Sequence, residues 1–180
     1  MRILYFPGLA HVVERSVNTK NSLKYIHLAR HFTVDIYPYN RTPELSDAED
    51  YDAVVGSSFG GYFALNMAAQ KNMTGIAVNP SFYLDKRIRM LKITGDGLDH
   101  IDEEKLISLK CSESLKKSGQ NLHVFMNMDD DVIEPAGIEN ACTEYGINFY
   151  PFKTGGHEAH NFEKDMLPRI IRILTQQFHA

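Results

Sequence analysis

The chain has 180 residues, of which 43% are apolar and 23% charged, and these proportions are typical of a globular protein with a substantial core. Its formal charge of -4 argues against a general nucleic-acid binder. No stretch approaches the ~20 apolar residues that a membrane-spanning helix needs. We therefore expect one domain over residues 1–180 that binds neither nucleic acid nor a membrane.

The N-terminal segment predicts a buried strand rather than a signal peptide. The apolar run from Ile3 to Phe6 is interrupted at once by Pro7-Gly8, and no small-residue cleavage site follows. The two cysteines, Cys111 and Cys142, are too few for a disulfide framework and lack metal-ligand spacing. We therefore expect a cytoplasmic protein.

Short apolar runs alternate with stretches of helical spacing along the chain. The runs that predict strands are 2–6, 33–37, 52–56, 76–78, 122–126 and 147–152. The stretches that predict helices are 22–32, 58–70, one after Asp102, 135–145, and 162–178 with an irregularity at Pro168. This alternation predicts an α/β fold, with a mostly parallel sheet of about six strands and helices on both faces. Residues 81–121 fit either connecting structure or a small cap.

The segment Gly56-Ser57-Ser58-Phe59-Gly60 matches the G-x-S-x-G pattern of a nucleophile elbow. It follows a predicted buried strand and opens a predicted helix, which is the context that this motif requires. Glycines two residues before and after Ser58 avoid collisions with the helix and the neighbouring strand. The phosphate-binding patterns G-x-G-x-x-G and G-x-x-x-x-G-K-[ST] are absent. Ser58 is therefore the predicted nucleophile.

A nucleophilic serine needs a base, and hydrolases with such an elbow supply an acid and then a histidine later in the chain. The predicted strand 122–126 leads into Asp129-Asp130-Asp131. One of these carboxylates would orient the histidine, and the others would face solvent or cap the helix at Pro135. The predicted strand 147–152 leads into a loop with two histidines, His157 and His160.

A metal site is the rival interpretation of both loops. Three adjacent carboxylates do not easily converge on one ion, and the EF-hand pattern is missing. The string His157-Glu158-Ala159-His160 has one residue too few for the zinc motif H-E-x-x-H. We therefore expect neither a metal ion nor a cofactor.

Two backbone N–H groups are the predicted donors of an oxyanion hole. One belongs to Phe59, directly after the predicted nucleophile. The other belongs to Leu9, in the loop after the first strand, where Gly8 allows the backbone to turn inward.

With these residues in place, the chain resembles the small bacterial esterases of the YqiA type, within the α/β-hydrolase superfamily. The matching segments are 4–9, Gly56-Ser57-Ser58-Phe59-Gly60-Gly61-Tyr62, Asn79-Pro80, 129–132 and Gly155-Gly156-His157. The resemblance implies a minimal α/β hydrolase, and alignment with the acid loop of the family makes Asp130 the expected acid. His157 is the expected base because two glycines leave room for its ring, whereas His160 lies near the positive end of the next helix.

The expected reaction is the hydrolysis of a small acyl ester or thioester through an acyl-enzyme intermediate. Ser58 would attack, His157 would transfer the proton, and Asp130 would hold the imidazole in the required tautomer. An acyltransferase or a C–C bond hydrolase would use the same residues. A non-catalytic binding or regulatory protein on the same fold is the alternative, but such a protein has no need of an activated serine.

Overall fold

The structure, a computed structural model, describes residues 1–15, 22–95 and 97–176. Within these ranges six strands form one sheet: β1 (Arg2–Phe6), β2 (Thr33–Ile36), β3 (Ala53–Ser57), β4 (Thr74–Val78), β5 (Leu122–Asn127) and β6 (Asn148–Phe152). The strand order is β2-β1-β3-β4-β5-β6, and each neighbouring pair is parallel. The predicted sheet is therefore confirmed.

Helices connect these strands. The α-helices of the described ranges are α1 (Leu9–Glu14), α2 (Leu23–Ala29), α3 (Phe59–Lys71), α4 (Leu84–Thr94), α5 (Glu103–Leu109), α6 (Ser112–Ser118), α7 (Pro135–Tyr145) and α8 (Leu167–Gln176). Short 3-10 segments lie at Leu45–Ala48 and Gly119–Asn121, and a π-helical turn, Phe162–Met166, precedes α8. None of the helices in the described ranges has the length and apolar character needed to cross a membrane.

The sheet separates two apolar cores because successive side chains of a strand point to opposite faces. In β3, Val54 packs into a core with α3 and the helices α4 to α7, whereas Ala53 and Val55 face a second core with α2, the π-helical turn and α8. All five residues of β3 and of β4 are buried. This coverage on both faces explains why the central strands are continuous apolar runs.

Several elements differ from the sequence-based prediction. The predicted loop after β1 contains helix α1, and residues 81–121 contain α4 and α6 beside the expected helix α5. The predicted helix over 162–178 begins as a π-helical turn, and its last two residues lie outside the described part of the chain. Pro168 is the second residue of α8 and lies directly after the π-helical turn, so the predicted irregularity falls at this junction.

Residues 81–121 pack along α3 through hydrogen bonds as well as apolar contacts. The Tyr62 hydroxyl donates to the Leu106 carbonyl at 2.8 Å, and the Gln70 amide donates to the Leu109 carbonyl at 2.5 Å. The Ser118 hydroxyl donates to a carbonyl of α3 at 3.0 Å. These bonds fix α5 and α6 against the helix that begins next to Ser58.

Candidate active site

Ser58 lies in the turn between β3 and α3, at the carboxyl edge of the sheet. Its backbone angles are φ 51° and ψ -118°, a conformation that costs a non-glycine residue about 1–3 kcal/mol. The turn is held by hydrogen bonds: the Ser58 N–H donates to Val78, and the Ser58 carbonyl accepts from Gly61 and Ser81 at 3.0 and 2.9 Å. This strained backbone is the one that a nucleophile elbow requires.

The glycines of the elbow allow the helix and two strands to approach closely. A Cβ atom on Gly56 would overlap the Gly60 carbonyl and lie 2.8 Å from the Gly61 nitrogen. A Cβ atom on Gly60 would overlap the Phe6 carbonyl and lie 2.6 Å from that of Pro7. Both glycines therefore have the steric role that the motif predicts.

The structure brings His157, rather than His160, to Ser58. The His157 Nε2 and Ser58 Oγ atoms are 2.9 Å apart, which is hydrogen-bond distance. The side chain of His160 is exposed, and the backbone N–H of this residue donates to the Gly155 carbonyl at 3.0 Å.

Asp130 contacts the opposite side of the His157 ring. Its two carboxylate oxygens lie 2.8 and 3.1 Å from Nδ1, and its side chain is fully buried. Oδ1 also accepts from the N–H groups of Val132 and Ile133, both at 2.8 Å. Because a carboxylate only accepts hydrogen bonds, we assign the proton of a neutral His157 to Nδ1, which leaves the Nε2 lone pair facing Ser58.

The two other aspartates of the acid loop do not contact His157 in this way. Asp131 is exposed, and Glu134 caps α7 by accepting from two backbone N–H groups. The prediction that the other aspartates face solvent or cap the helix at Pro135 is wrong for Asp129. It accepts from the Gly156 and Gly155 N–H groups at 2.8 and 3.1 Å, and these bonds lower the pKa of its carboxyl group.

The two predicted oxyanion donors each open a helix. Leu9 is the first residue of α1 and Phe59 the first of α3, positions whose N–H groups have no acceptor within their own helix. A Cβ atom on Gly8 would lie 3.5 Å from the Ser58 Cβ, so the loop passes directly beside this serine. The buried Tyr39 hydroxyl anchors the same loop by donating to the Pro7 carbonyl at 3.1 Å.

A network of side-chain amides contacts the His157 loop and was not predicted from the sequence. Asn79 follows β4, and Asn127 is the last residue of the neighbouring strand β5. Both are fully buried and donate to backbone carbonyls of the loop. The Asn161 amide donates to the Asn127 side chain at 3.0 Å. The Asn79-Pro80 pair was noticed as a feature of the resembled family, and its position after a strand was the available signal.

The described ranges contain no group of three or more histidine, cysteine, aspartate or glutamate residues that could hold a metal ion. Cys111 and Cys142 are free thiols.

Comparison with known proteins gives the family and the fold. Residues 22–175 match the uncharacterised protein family UPF0227. No curated protein sequence matches at a significant level.

Similar solved structures include three α/β proteins. Est1E from Butyrivibrio proteoclasticus has 10% identity and a TM-score of 0.69, with 99% of this chain and 88% of that chain covered. A monoacylglycerol lipase from Paleococcus ferrophilus has 14% identity and a TM-score of 0.62, with 97% and 94% covered. Alpha/beta hydrolase domain-containing protein 10 from mouse has 10% identity and a TM-score of 0.58, with 99% and 89% covered. At these identities the likeness establishes the α/β-hydrolase fold.

Proposed function

This chain belongs to the UPF0227 family, a YqiA-like family of the α/β-hydrolase superfamily, and from that premise we propose that it is a serine hydrolase of small carboxylic esters or thioesters. One observation carries the proposal. Hydrogen-bond distances of 2.9 Å and 2.8 Å connect the Ser58 hydroxyl, the His157 ring and the Asp130 carboxylate in series. This arrangement can activate a serine hydroxyl.

In the proposed reaction, Ser58 Oγ forms a bond to the acyl carbon while its proton passes to His157 Nε2. Asp130 stabilises the resulting imidazolium through Nδ1–H. Collapse of the tetrahedral intermediate breaks the bond to the leaving oxygen or sulfur, which takes the proton from Nε2. A water molecule then attacks the acyl-enzyme, with His157 as the base, and releases the carboxylic acid and free Ser58.

The backbone N–H groups of Phe59 and Leu9 would donate to the negative oxygen of each tetrahedral intermediate. Phe59 opens a helix of 13 residues, whose partial positive charge at this end also favours an anion. The proposed reaction needs no metal ion and no cofactor, because the nucleophile, the base and the oxyanion donors all come from the chain.

The substrate is proposed to be a small ester or thioester with an apolar portion. Three apolar residues that are close in sequence to residues of the proposed site are exposed: Leu9 by 38%, Met128 by 41% and Val132 by 55%. Leu9 adjoins Gly8, and the other two flank the aspartates of the acid loop. These side chains would gain burial when an apolar group binds beside Ser58.

The remaining parts of the proposal concern the whole chain. We place its residues in one α/β-hydrolase domain in the cytoplasm, a compartment where thiols such as Cys111 and Cys142 stay reduced.

Residues 81–121 are proposed to support α3 rather than to cover the site. Tyr62 and Gln70 of α3 donate to carbonyls of α5, and Ser118 of α6 donates to a carbonyl of α3.

Fluorophosphonate labelling followed by peptide mass spectrometry tests the proposed nucleophile. We expect a covalent adduct on Ser58 and none on Ser57, together with hydrolysis of p-nitrophenyl acetate. Ser58→Ala should abolish both signals, while the neighbouring Ser57→Ala should retain them. An unlabelled Ser58 in folded protein would contradict the proposal and favour a non-catalytic binding protein on this fold.

A further inference from the structure

Asn79 is a buried polar residue with an unusual backbone. It follows β4, has no exposed surface, and has a positive φ of 45°. Burial of an amide and a positive φ both cost free energy unless specific contacts compensate for them. The contacts that Asn79 makes all lie in the elements that carry His157 and Asp130.

The Asn79 side-chain amide donates two hydrogen bonds to the backbone beside the catalytic ring. Its Nδ2 atom lies 3.0 Å from the Gly156 carbonyl and 2.9 Å from the carbonyl of His157 itself. Its Oδ1 atom accepts from the Asn127 N–H at 2.9 Å, and its own N–H donates to the Phe125 carbonyl at 2.9 Å. Asn79 therefore joins the end of β5 to the loop of His157.

Other polar side chains complete the contacts of this loop. Asn127 Nδ2 donates to the Gly156 carbonyl at 2.9 Å. From the other side, Asp129 accepts the N–H groups of Gly155 and Gly156. The side-chain amides thus bind the carbonyl groups of the loop while a carboxylate binds its N–H groups, so the orientation of these peptides is fixed from two directions.

We infer that Asn79 is a positioning residue for His157: it holds the two carbonyl groups next to the imidazole so that Nε2 stays within reach of Ser58. This inference rests on the proposed hydrolase function. Only an amide supplies both the two donors and the acceptor that this position uses, and asparagine tolerates a positive φ better than most residues. Loss of the amide frees the loop to move, and a misplacement of about 1 Å in a catalytic group can lower turnover by about 10²-fold.

The first experiment compares Asn79→Gly with Asn72→Gly. Both asparagines have a positive φ, 45° and 51°, which glycine adopts readily. Asn72 is the C-cap residue directly after α3, at the opposite end of this helix from Ser58, and its side chain accepts from Ser118 and Asn121. With p-nitrophenyl acetate we expect kcat of Asn79→Gly to fall about 10- to 100-fold, the range that a misplaced base allows, with KM nearly unchanged. Asn72→Gly should keep the wild-type kcat.

Asn79→Asp separates hydrogen bonding from packing. It keeps the shape and the acceptor but can donate at most one of the two hydrogen bonds, and an ionised carboxylate would repel both carbonyl groups, so we expect a loss of kcat at least as large as that of Asn79→Gly. The rate of fluorophosphonate labelling at Ser58 should fall in proportion. Wild-type kcat and labelling rate in both folded Asn79 variants would overturn the inference. A purely structural role would instead lower the melting temperature and leave these rates unchanged.

If the Asn79 variants do not fold, a measurement on the wild-type protein tests the hydrogen bonds of the Asn79 side-chain amide. Asn79 is fully buried and both Nδ2 protons donate to backbone carbonyls, so its side-chain signals should exchange slowly with solvent in nuclear magnetic resonance spectra. Rapid exchange would overturn the inference. The two proposals fail separately: an unlabelled Ser58 in the wild type contradicts the hydrolase, whereas normal labelling in Asn79→Gly contradicts only the positioning role.

Discussion

The nucleophile elbow and the His157 loop are held in place by different kinds of interaction. Ser58 is held by its strained backbone, by backbone hydrogen bonds to Val78 and Ser81, and by the close approach of Gly60 to Phe6. His157 is held by side chains from other segments: Asn79 donates to its carbonyl, and Asp129 accepts from the N–H of the preceding Gly156. Close backbone packing and backbone hydrogen bonds thus position Ser58, whereas side-chain hydrogen bonds from distant segments position His157.

This difference predicts which substitutions impair chemistry and which impair folding. Changes in the His157 loop and its partners should lower turnover in a protein that still folds. Changes in the elbow glycines should act first on folding.

His157→Ala should have the largest effect. Removal of the base in a serine hydrolase can cost about 10⁶-fold in kcat, and a comparable loss is expected here with the fold retained. His160→Ala is the matched control because His160 is in the same loop but exposed, and it should keep most of the activity. Steady-state hydrolysis of p-nitrophenyl acetate by the two variants checks the prediction. The reverse pattern would assign the base to His160.

Asp130→Asn should lower kcat by about 10⁴-fold, the loss known for a triad in which the acid no longer fixes the histidine tautomer. Asp131→Asn changes an exposed neighbour and should have little effect. Kinetics of both variants at pH 8, with circular dichroism to verify folding, provide the test. Near-normal turnover in Asp130→Asn would show that this carboxylate does not orient His157.

Gly60→Ala should destabilise the folded protein, because the new methyl group would collide with the backbone of Phe6 and Pro7, which cannot easily move. We expect a loss of about 3 kcal/mol in the free energy of unfolding, the upper end of typical overpacking costs. Gly137→Ala is the control, since its methyl group would meet only the flexible Glu134 side chain. Urea unfolding measures both variants, and equal stability of the two would contradict a steric origin of the elbow.

Asp129→Asn should have the smallest effect, a few-fold decrease in kcat, because a neutral amide accepts the Gly155 and Gly156 N–H bonds more weakly than a carboxylate does. The hydrogen bonds lower the pKa of Asp129 in the folded state below the ~3.9 of an unfolded aspartate. Its stabilisation is therefore present above about pH 4 and is lost as the pH falls through the folded-state pKa.

Urea unfolding of the wild type and Asp129→Asn at pH 7 and pH 3 tests this sign. The wild type should be the more stable of the two at pH 7, and the difference should shrink at pH 3. Asp131→Asn serves as the control because Asp131 is exposed. A stability difference that grows as the pH falls would contradict the role of the Asp129 carboxylate.

Much of the fold could be predicted from local sequence. The apolar run at 2–6 and the helical pattern at 135–145 match β1 and α7 residue for residue, because buried strands and capped amphipathic helices have local signatures. Helix α4 was missed, and its exposed Met90 and Ile93 disturb the apolar periodicity that would have indicated it. The six-residue helix α1 was missed for another reason, since it is too short to show a period.

The candidate site was likewise only partly predictable from the sequence. Ser58 and the acid and histidine loops were predicted because each follows a strand in an order typical of α/β hydrolases. The choice of Asp130 came from the resemblance to the acid loop of the family, and that of His157 from the two glycines before it. The structure brings these three side chains together, and their catalytic roles remain a proposal. The function of Asn79 depends on a contact with a residue 78 positions later in the chain. The sequence marked Asn79 only by its position after a strand, and the partner of its side chain is visible only in the folded structure.

The amide network has a further consequence for the chemical durability of the protein. An asparagine loses its amide when the backbone nitrogen of the next residue attacks the side-chain carbonyl carbon and expels ammonia. Asn79 is followed by Pro80, whose nitrogen carries no proton and cannot close this ring. Asn127 is followed by Met128, whose N–H is engaged with the Phe152 carbonyl at 2.8 Å.

The third member of the network is protected in the same manner. Asn161 is followed by Phe162, whose N–H donates to the Ala159 carbonyl at 2.9 Å. Deamidation is thus obstructed at each of the three side chains. At Asn79 it would replace a hydrogen-bond donor by a carboxylate beside the carbonyl of His157. The neighbours of these asparagines therefore protect the hydrogen bonds that hold the His157 loop against this reaction.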